Sequence, residues 1–545
     1  MRLSALSVSN YRSIVDTGKI RIEPLQTFVG ENNTGKSNIL RAISCFLSVG
    51  TGGVKCSDLS NHEQPMIIEV EFTELTEYER HNLKRYLLGD KLIIRKELRI
   101  TEDRKSGKEQ IEAIYHGYLA EPKDWQLSIE KIKEEKGNKP NWKEIAEEYG
   151  ILEYVIKEDG KVDKKSYESG IGKVIIERDN IEFDEPKLAD GKAMGFQQNL
   201  LRFLPDFYLL PAITDYSDEI DKRSSSTVFR KLMGDLSDRI IKADPRYHEI
   251  ESALNTLQNL LNPSSTPTTE NASEEVTRLS VLSTIEGALC GVIARLMPTV
   301  EQVQLEVAIE EPELYIHPQS QRLIYRVLKE FVFENDENGT VQDQVIYSTH
   351  SPAFVDIAAY DQVGMVVKED VTSGTKVNQC EQGVLGCLEE LKGFKLLNSF
   401  DLKHNEMFFS RHNILVEGEQ DEIAIVATGR KLGLFKEFPE EIGYSIIVTG
   451  NKEQIPKFQK ILNAFNTSYS VWLELDGKPD TEGKNKEVID LANTNTIAKM
   501  SKRMEEEAGM DKHFSNTFSC KKHFGNPDNI THELEELVKK VFHVN

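Results

Sequence analysis

One short stretch, Gly30-Glu31-Asn32-Asn33-Thr34-Gly35-Lys36-Ser37, constrains this chain more than any other. It follows the apolar run Leu25 to Val29 and precedes Asn38 to Leu47, whose apolar residues recur at helical spacing. Strand, glycine-bounded loop and helix in that order describe a P-loop. Its glycines let the backbone curl so that successive amides and a helix N-terminus face phosphate oxygens. Asn32, Asn33 and Gly35 would line the phosphates, Lys36 would reach the β and γ groups, and Ser37 would hold Mg²⁺. ATP is the expected nucleotide.

At 545 residues the chain has room for two to four domains. No run of ~18 apolar residues offers a bilayer span, and Met1 to Val8 alternates at once instead of following a signal-peptide layout. Six cysteines, at 45, 56, 290, 380, 387 and 520, form no CxxC pair. Free thiols, a cytoplasmic setting and no membrane are expected. A net charge of −23 excludes a uniformly basic, nucleic-acid-coating surface, though not a local basic groove.

Residues 1–120 form a first lobe with strands expected at Leu3–Val8, Ile20–Ile22, Gln26–Val29, Met66–Phe72, Leu92–Ile100 and Gln110–Tyr118. Asn10-Tyr11-Arg12 ends the first strand, as a plain turn or as a contact near the nucleotide. Residues 121–205 are rich in Lys and Glu and read as a charged insertion, with Trp125 and Trp142 as isolated anchors. Residues 206–300 begin with a buried strand, Phe207 to Thr214, followed by helices over 217–261 and 274–296 around the polar tip 262–272. Such a hairpin serves as a subunit contact or packs on its own domain; the two remain open. A second lobe, 301–395, carries a strand ending in Glu310-Glu311-Pro312-Glu313 and another ending in Ser348-Thr349-His350-Ser351-Pro352. Glu310 is assigned to the Mg²⁺ shell, Glu311 to the attacking water, and His350 to the γ-phosphate side.

Residues 396–545 bring a second acidic constellation. Glu417-Gly418 closes one strand, with Asp421 just beyond, and Glu474-Leu475-Asp476 closes another, with Asp480 following. Side chains two apart leave a strand on one side, so Glu474 and Asp476 are expected to converge on one metal. Lys478, Lys521 and Lys522 are candidate charge stabilisers, and the tail Cys520 to His532, with its Lys521 and Lys522, forms with Lys499, Lys502 and Arg503 a candidate DNA-facing patch.

With Lys36, Glu310-Glu311 and His350 in place, residues 1 to about 375 resemble the ABC-type ATPases of the SMC and Rad50 kind. The resemblance implies a signature loop before Glu310, but Leu279–Ser283 and Glu286–Gly291 match it poorly, which puts transactivated hydrolysis in doubt. The 396–545 region resembles a Toprim domain, from which Glu474 departs by standing in an Asp position; it reaches ~1.5 Å further, one C–C bond. An α/β chain with an ABC-type ATPase head, an inserted helical hairpin and a Toprim parallel sheet flanked by helices resembles the OLD (overcoming lysogenization defect) family, which includes the nuclease subunit of the Gabija anti-phage system. That resemblance implies an endonuclease on double-stranded DNA, dependent on Mg²⁺ or Mn²⁺. Glu417 and Asp421 would hold one ion and Glu474, Asp476 and Asp480 the other. It also implies a dimer or tetramer through the ATPase heads and a UvrD-like helicase partner. The alternatives are a repair or clamp ATPase with a non-catalytic Toprim half, and a nucleotide-sensing scaffold.

Overall fold

The computed structural model describes residues 1–48, 50–102, 107–157, 159–178, 180–190, 203–210, 305–314, 317–333, 343–368, 370, 372–386, 388–399, 401–510 and 513–544. The expected hairpin over 217–296 and both signature-loop candidates lie outside them.

Alternating apolar residues start the chain as a hairpin, β1 (Arg2–Tyr11) and β2 (Ile14–Arg21). The chain then crosses to a second sheet as β3 (Leu25–Val29) and returns for β4 (Met66–Thr73), β5 (Leu87–Leu88), β6 (Lys91–Glu102), β7 (Glu109–Leu119) and β8 (Lys187–Asp190). This first sheet is antiparallel, in order β2-β1-β4-β6-β7-β8 with β5 on β6. On β4, Met66, Ile68, Val70 and Phe72 are buried while Ile67 and Glu69 are half-buried, as a sheet with one covered face requires.

The second sheet adds β9 (Asp206–Leu210), β10 (Leu305–Glu310), β11 (Gln344–Ser348), β12 (Val363–Val367) and β13 (Lys376–Gln379), in order β13-β12-β3-β11-β10-β9. All its pairings are parallel except β12 with β13. The five residues of β3 are all buried, the unbroken apolar run of a strand covered on both faces.

Helix Lys36–Leu47 packs between the two sheets, and a single cation locks its far end. Lys96, on β6 and fully buried, donates to the carbonyls of Cys45 (2.6 Å) and Ser48 (2.8 Å), with its ammonium 5.1 Å from the Tyr115 ring centroid. A cation there satisfies open carbonyls at the negative end of the helix, while burial lowers the lysine pKa to about 8.

Between β7 and β8, helices Ile129–Lys136, Trp142–Tyr149, Leu152–Val155 and Lys164–Glu177 enclose a core of their own that includes Leu127, Ile132, Ile145 and Val174. Trp125 and Trp142 are not isolated: both pack on this core, Trp142 with its ring 5.2 Å from Tyr167.

The third sheet is wholly parallel: β14 (His412–Val416), β15 (Tyr444–Val448), β16 (Tyr469–Glu474) and β17 (Thr496–Met500), in order β15-β14-β16-β17. Successive residues alternate between its faces. Leu415, Ile447, Val471 and Leu473 join a core with helix Ile455–Ala464, while Ile414, Val416, Trp472 and Ala498 join another with helices Glu419–Lys431 and His532–Val541. Among the described residues no helix is long and apolar enough to cross a membrane.

Replacing Lys96 by Met keeps the volume but strands two buried carbonyls. The expected cost is about 2 kcal/mol, read as a melting transition lowered by ~4–8 °C in scanning calorimetry; an unchanged transition would remove the helix-locking role.

Candidate functional site

The loop after β3 has the conformation its glycines allow. Gly30 has φ 147°, Asn33 φ 64° and Gly35 φ 111°, all on the side of the map L side chains avoid. A Cβ on Gly30 would run into the Val366 carbonyl, and one on Gly35 into the Thr375 hydroxyl. Asn32 and Asn33 are exposed, Ser37 is half-buried in the first helical turn, and Lys36 is only 5% exposed. The Lys36 ammonium donates to the carbonyls of Gly30 and Glu31, both at 2.9 Å. Burial lowers its pKa to about 8, against the opposing pull of Glu311 and Glu313. The cradle fits a nucleotide triphosphate: exposed loop backbone at a helix N-terminus, and an ammonium whose two carbonyl contacts phosphate oxygens can replace. Arg12 reaches the same helix, donating to Asn38 Oδ1 at 3.4 Å and pairing with Asp58 at 3.0 Å.

The acids of the second lobe arrive on β10, the neighbour of β11. Glu310 is buried and meets Arg41, on the P-loop helix, at 3.3 Å. Glu311 follows in a left-handed conformation, φ 49°, its amide donating to the Ser348 carbonyl at 2.9 Å. Non-glycine residues in that region are held there by their surroundings, commonly at functional sites. His350 Nε2 stands 3.8 Å from Glu311; burial and then the Lys36 charge lower its pKa, so the neutral imidazole is favoured. Glu313, given no role from sequence, organises this corner: it accepts from Thr349 Oγ1 at 2.8 Å and from the His350 amide at 2.6 Å. A carboxylate three residues past a strand end gave no signal of those non-local bonds.

The second constellation lies at the carboxyl ends of β14 and β16, where ligands of parallel α/β sheets gather. The register of β14 on β16 pairs Leu415 with Val471, which sets Glu417 beside the end of β16 at Glu474. Gly418 caps helix Glu419–Lys431, and its amide donates to Asp421 Oδ2 at 2.9 Å. Glu474 accepts from the Met504 amide at 3.0 Å. Asp421 is 6% exposed; burial, then Glu474, Glu417 and Glu505, raise its pKa to about 7. Burial also raises Glu417, with Asp476 adding to it and Lys452 opposing. Glu474 is raised by burial and by Glu417, Glu505 and Asp476.

Two of these groups are new relative to the sequence expectations. Glu505 is buried, accepts from the Phe514 amide at 3.4 Å and meets His513 Nδ1 at 3.1 Å; in sequence it is one of three consecutive glutamates, with nothing local to single it out. Lys452, two residues past Gly450, donates to the Asp476 carboxylate and the Glu474 carbonyl. The pleat argument for Glu474 and Asp476 needs correction. The strand ends at Glu474 and Asp476 takes φ 53° in a turn, so the two side chains leave by different routes, one to the Met504 amide and one to Lys452. Asp480 pairs with Lys499 at 3.0 Å instead of joining them, and Arg503 pairs with Glu506 at 2.8 Å.

Among the described residues no three His, Cys, Asp or Glu side chains are spaced to hold a metal as they stand. The donor chemistry nonetheless suits a hard divalent cation: carboxylates from adjacent strand ends share one field, and a bound cation would offset their mutual repulsion.

Residues 1–286 and 299–355 match the family described as AAA ATPase domain, and residues 408–476 match that described as overcoming lysogenization defect protein-like, TOPRIM domain. An OLD nuclease of Thermus scotoductus is 30% identical over 188 residues, 33% of this chain and 34% of that protein. The alignment thus spans about a third of that relative's length. The Old nuclease of Escherichia phage P2 is 21% identical over 501 residues, 87% of this chain and 77% of that protein. A solved structure, the SMC head domain from Thermotoga maritima, aligns with 70% of this chain and 100% of its own at 14% identity and a TM-score of 0.28.

Lys36→Ala removes the buried ammonium from the cradle. ATP affinity measured by calorimetry should fall by about 10- to 100-fold, the range of a lost charge-assisted hydrogen bond; an unaltered isotherm would exclude the P-loop role.

Proposed function

This chain belongs to the AAA ATPase family and carries an OLD-like TOPRIM domain behind it, and from that premise we propose a metal-dependent DNA endonuclease whose ATPase domain regulates cutting. The observation that carries the proposal is the meeting of Glu417, just after β14, and Asp421, in the first turn of helix Glu419–Lys431, with Glu474 at the end of the neighbouring parallel strand β16.

Mg²⁺ or Mn²⁺ held by Glu417, Asp421, Glu474 and Asp476 would supply Lewis acidity and a reactive water for phosphodiester hydrolysis. The chain's own groups supply the rest. Gly418 orients Asp421, and the Met504 amide orients Glu474. Lys452 fixes Asp476 and places positive charge where a scissile phosphate gains negative charge. At the nucleotide site, Lys36, Ser37 and Glu310 would hold ATP and its ion, while His350 and Glu311 would face the γ-phosphate. Nuclease chemistry needs only water and metal, so ATP enters as a control and not as a source of the cut. Assembly through the ATPase lobes and use against phage DNA complete the proposal, on the strength of the family resemblance.

Supercoiled plasmid incubated with Mg²⁺ or Mn²⁺ tests the assignment. Asp476→Ala should lower nicking by at least ~100-fold, beyond the loss typical of an outer-sphere partner, and unchanged nicking would sink it. Wild-type protein should cut without nucleotide and change its rate as ATP is added. An absolute requirement for hydrolysable ATP would contradict the regulatory role.

A further inference from the structure

Helix Thr517–Phe524 lies against helix Glu419–Lys431, whose first turn carries Asp421. Asn516 caps it, accepting from the Ser519 amide at 2.9 Å. Cys520 and Phe524 point inward onto helix Glu419–Lys431, with Cys520 Sγ 3.8 Å from the carbonyl oxygen of Gln420, the neighbour of Asp421. The segment just before the helix is tied to the carboxylate site, since Glu505 accepts from the Phe514 amide and meets His513.

Residues three and four apart share a helix face, which groups Phe518, Lys521 and Lys522 opposite the buried side. Phe518 is 75% exposed, and both lysines are exposed. Among the described residues neither lysine has an ion-pair partner. In a chain of net charge −23, an exposed phenyl ring one helical turn from two exposed lysines that have no ion-pair partner among the described residues presents apolar and positive surface together. A protein partner covering the ring with apolar surface would also desolvate both cations, an unfavourable exchange. Nucleic acid matches the whole face, with a base plane for the ring and phosphates for the lysines. Bases inside a duplex have their planes covered by neighbours, so the ring can stack only where the strand is unpaired.

We propose that this face holds an unpaired stretch of the DNA strand as it enters the TOPRIM carboxylates, Phe518 stacking on a base while Lys521 and Lys522 contact flanking phosphates. The proposal rests on the endonuclease reading above and adds to it a preference for locally single-stranded substrate.

Fluorescence anisotropy on the full chain in EDTA, with a fluorescein-labelled oligothymidylate of ~20 nucleotides and a blunt duplex of equal length, separates binding from cutting. Phe518→Ala should weaken single-strand binding by about 5- to 100-fold, the range for one lost base–aromatic stack. Duplex binding should change less than about twofold, and Phe518→Trp should restore the affinity. Lys521→Ala with Lys522→Ala should make the slope of log K against log salt shallower by about 1.4, two phosphates at ~0.7 each. Single-strand affinity unchanged in Phe518→Ala, or equal losses on both DNAs, would overturn the proposal. So would dissociation of an oligomer in light scattering with single-strand affinity unchanged, which would assign the face to self-association. Plasmid nicking measured alongside keeps the two claims apart: loss of nicking in Asp476→Ala with a Phe518 variant that binds normally leaves the endonuclease standing and removes only the strand-holding face.

Discussion

A single apolar core joins the strand that carries the nucleotide loop to the sheet that carries the TOPRIM acids. Val29, the residue before Gly30, is buried in the same cluster as Met365 on β12, Leu415 on β14 and Val471 on β16, with Phe394, Phe408, Phe458 and Phe465 filling the space between. Leu415 stands two residues before Glu417. Both functional loops are therefore short extensions of strands fixed in one packed body. Each fully buried large apolar side chain contributes roughly 1.5–3 kcal/mol, and such interiors do not deform continuously. The placement of one site relative to the other is set by this core.

Polar contacts also cross between the halves, among them Asn378 donating to the Phe465 carbonyl at 2.9 Å and the Ile357 amide donating to Asn405 Oδ1 at 2.9 Å, and one touches the P-loop itself, Arg411 to Glu31 at 2.8 Å, from just before β14. Both side chains are largely exposed, and pairs of that kind contribute about 0–1 kcal/mol. Magnitudes rank the two links plainly. The core holds the halves together, and the ion pair is weak enough to open and close without disturbing the fold.

Much of this was legible in the chain itself, because the signals were local. A glycine-bounded loop between a buried strand and a helix needs no distant partner to be recognised, and the alternation on β4 and β6 states which face is covered. Glu417 and Glu474 stood out for the same reason, each being an acid at the end of an apolar run, with Asp421 four residues past the first. Glu313, Lys452 and Glu505 were not. Their roles are created by residues far off in sequence, Thr349 and His350 for the first, Asp476 for the second, Phe514 and the other carboxylates for the third. Asp476 shows the limit from the other side: strand periodicity holds only while the chain is a strand, and Asp476, two positions past the last residue of β16, is left-handed.

The two acidic centres handle their charge in opposite ways, and the difference separates their chemistry. Around β10 the protein provides its own compensation: Arg41 stands at Glu310, and Glu313 accepts two hydrogen bonds from the β11 turn. Around β14 and β16 the compensation is incomplete. Asp421 and Glu474 each receive one backbone amide, Lys452 serves Asp476, and burial, with the repulsion of Glu474, Glu417 and Glu505 added to it, raises Asp421 to about 7. Burying several carboxylates without full pairing is unfavourable for a fold. It persists here at the carboxyl end of a parallel sheet, where hard oxygen donors and uncompensated negative charge suit a divalent cation better than any side chain nearby.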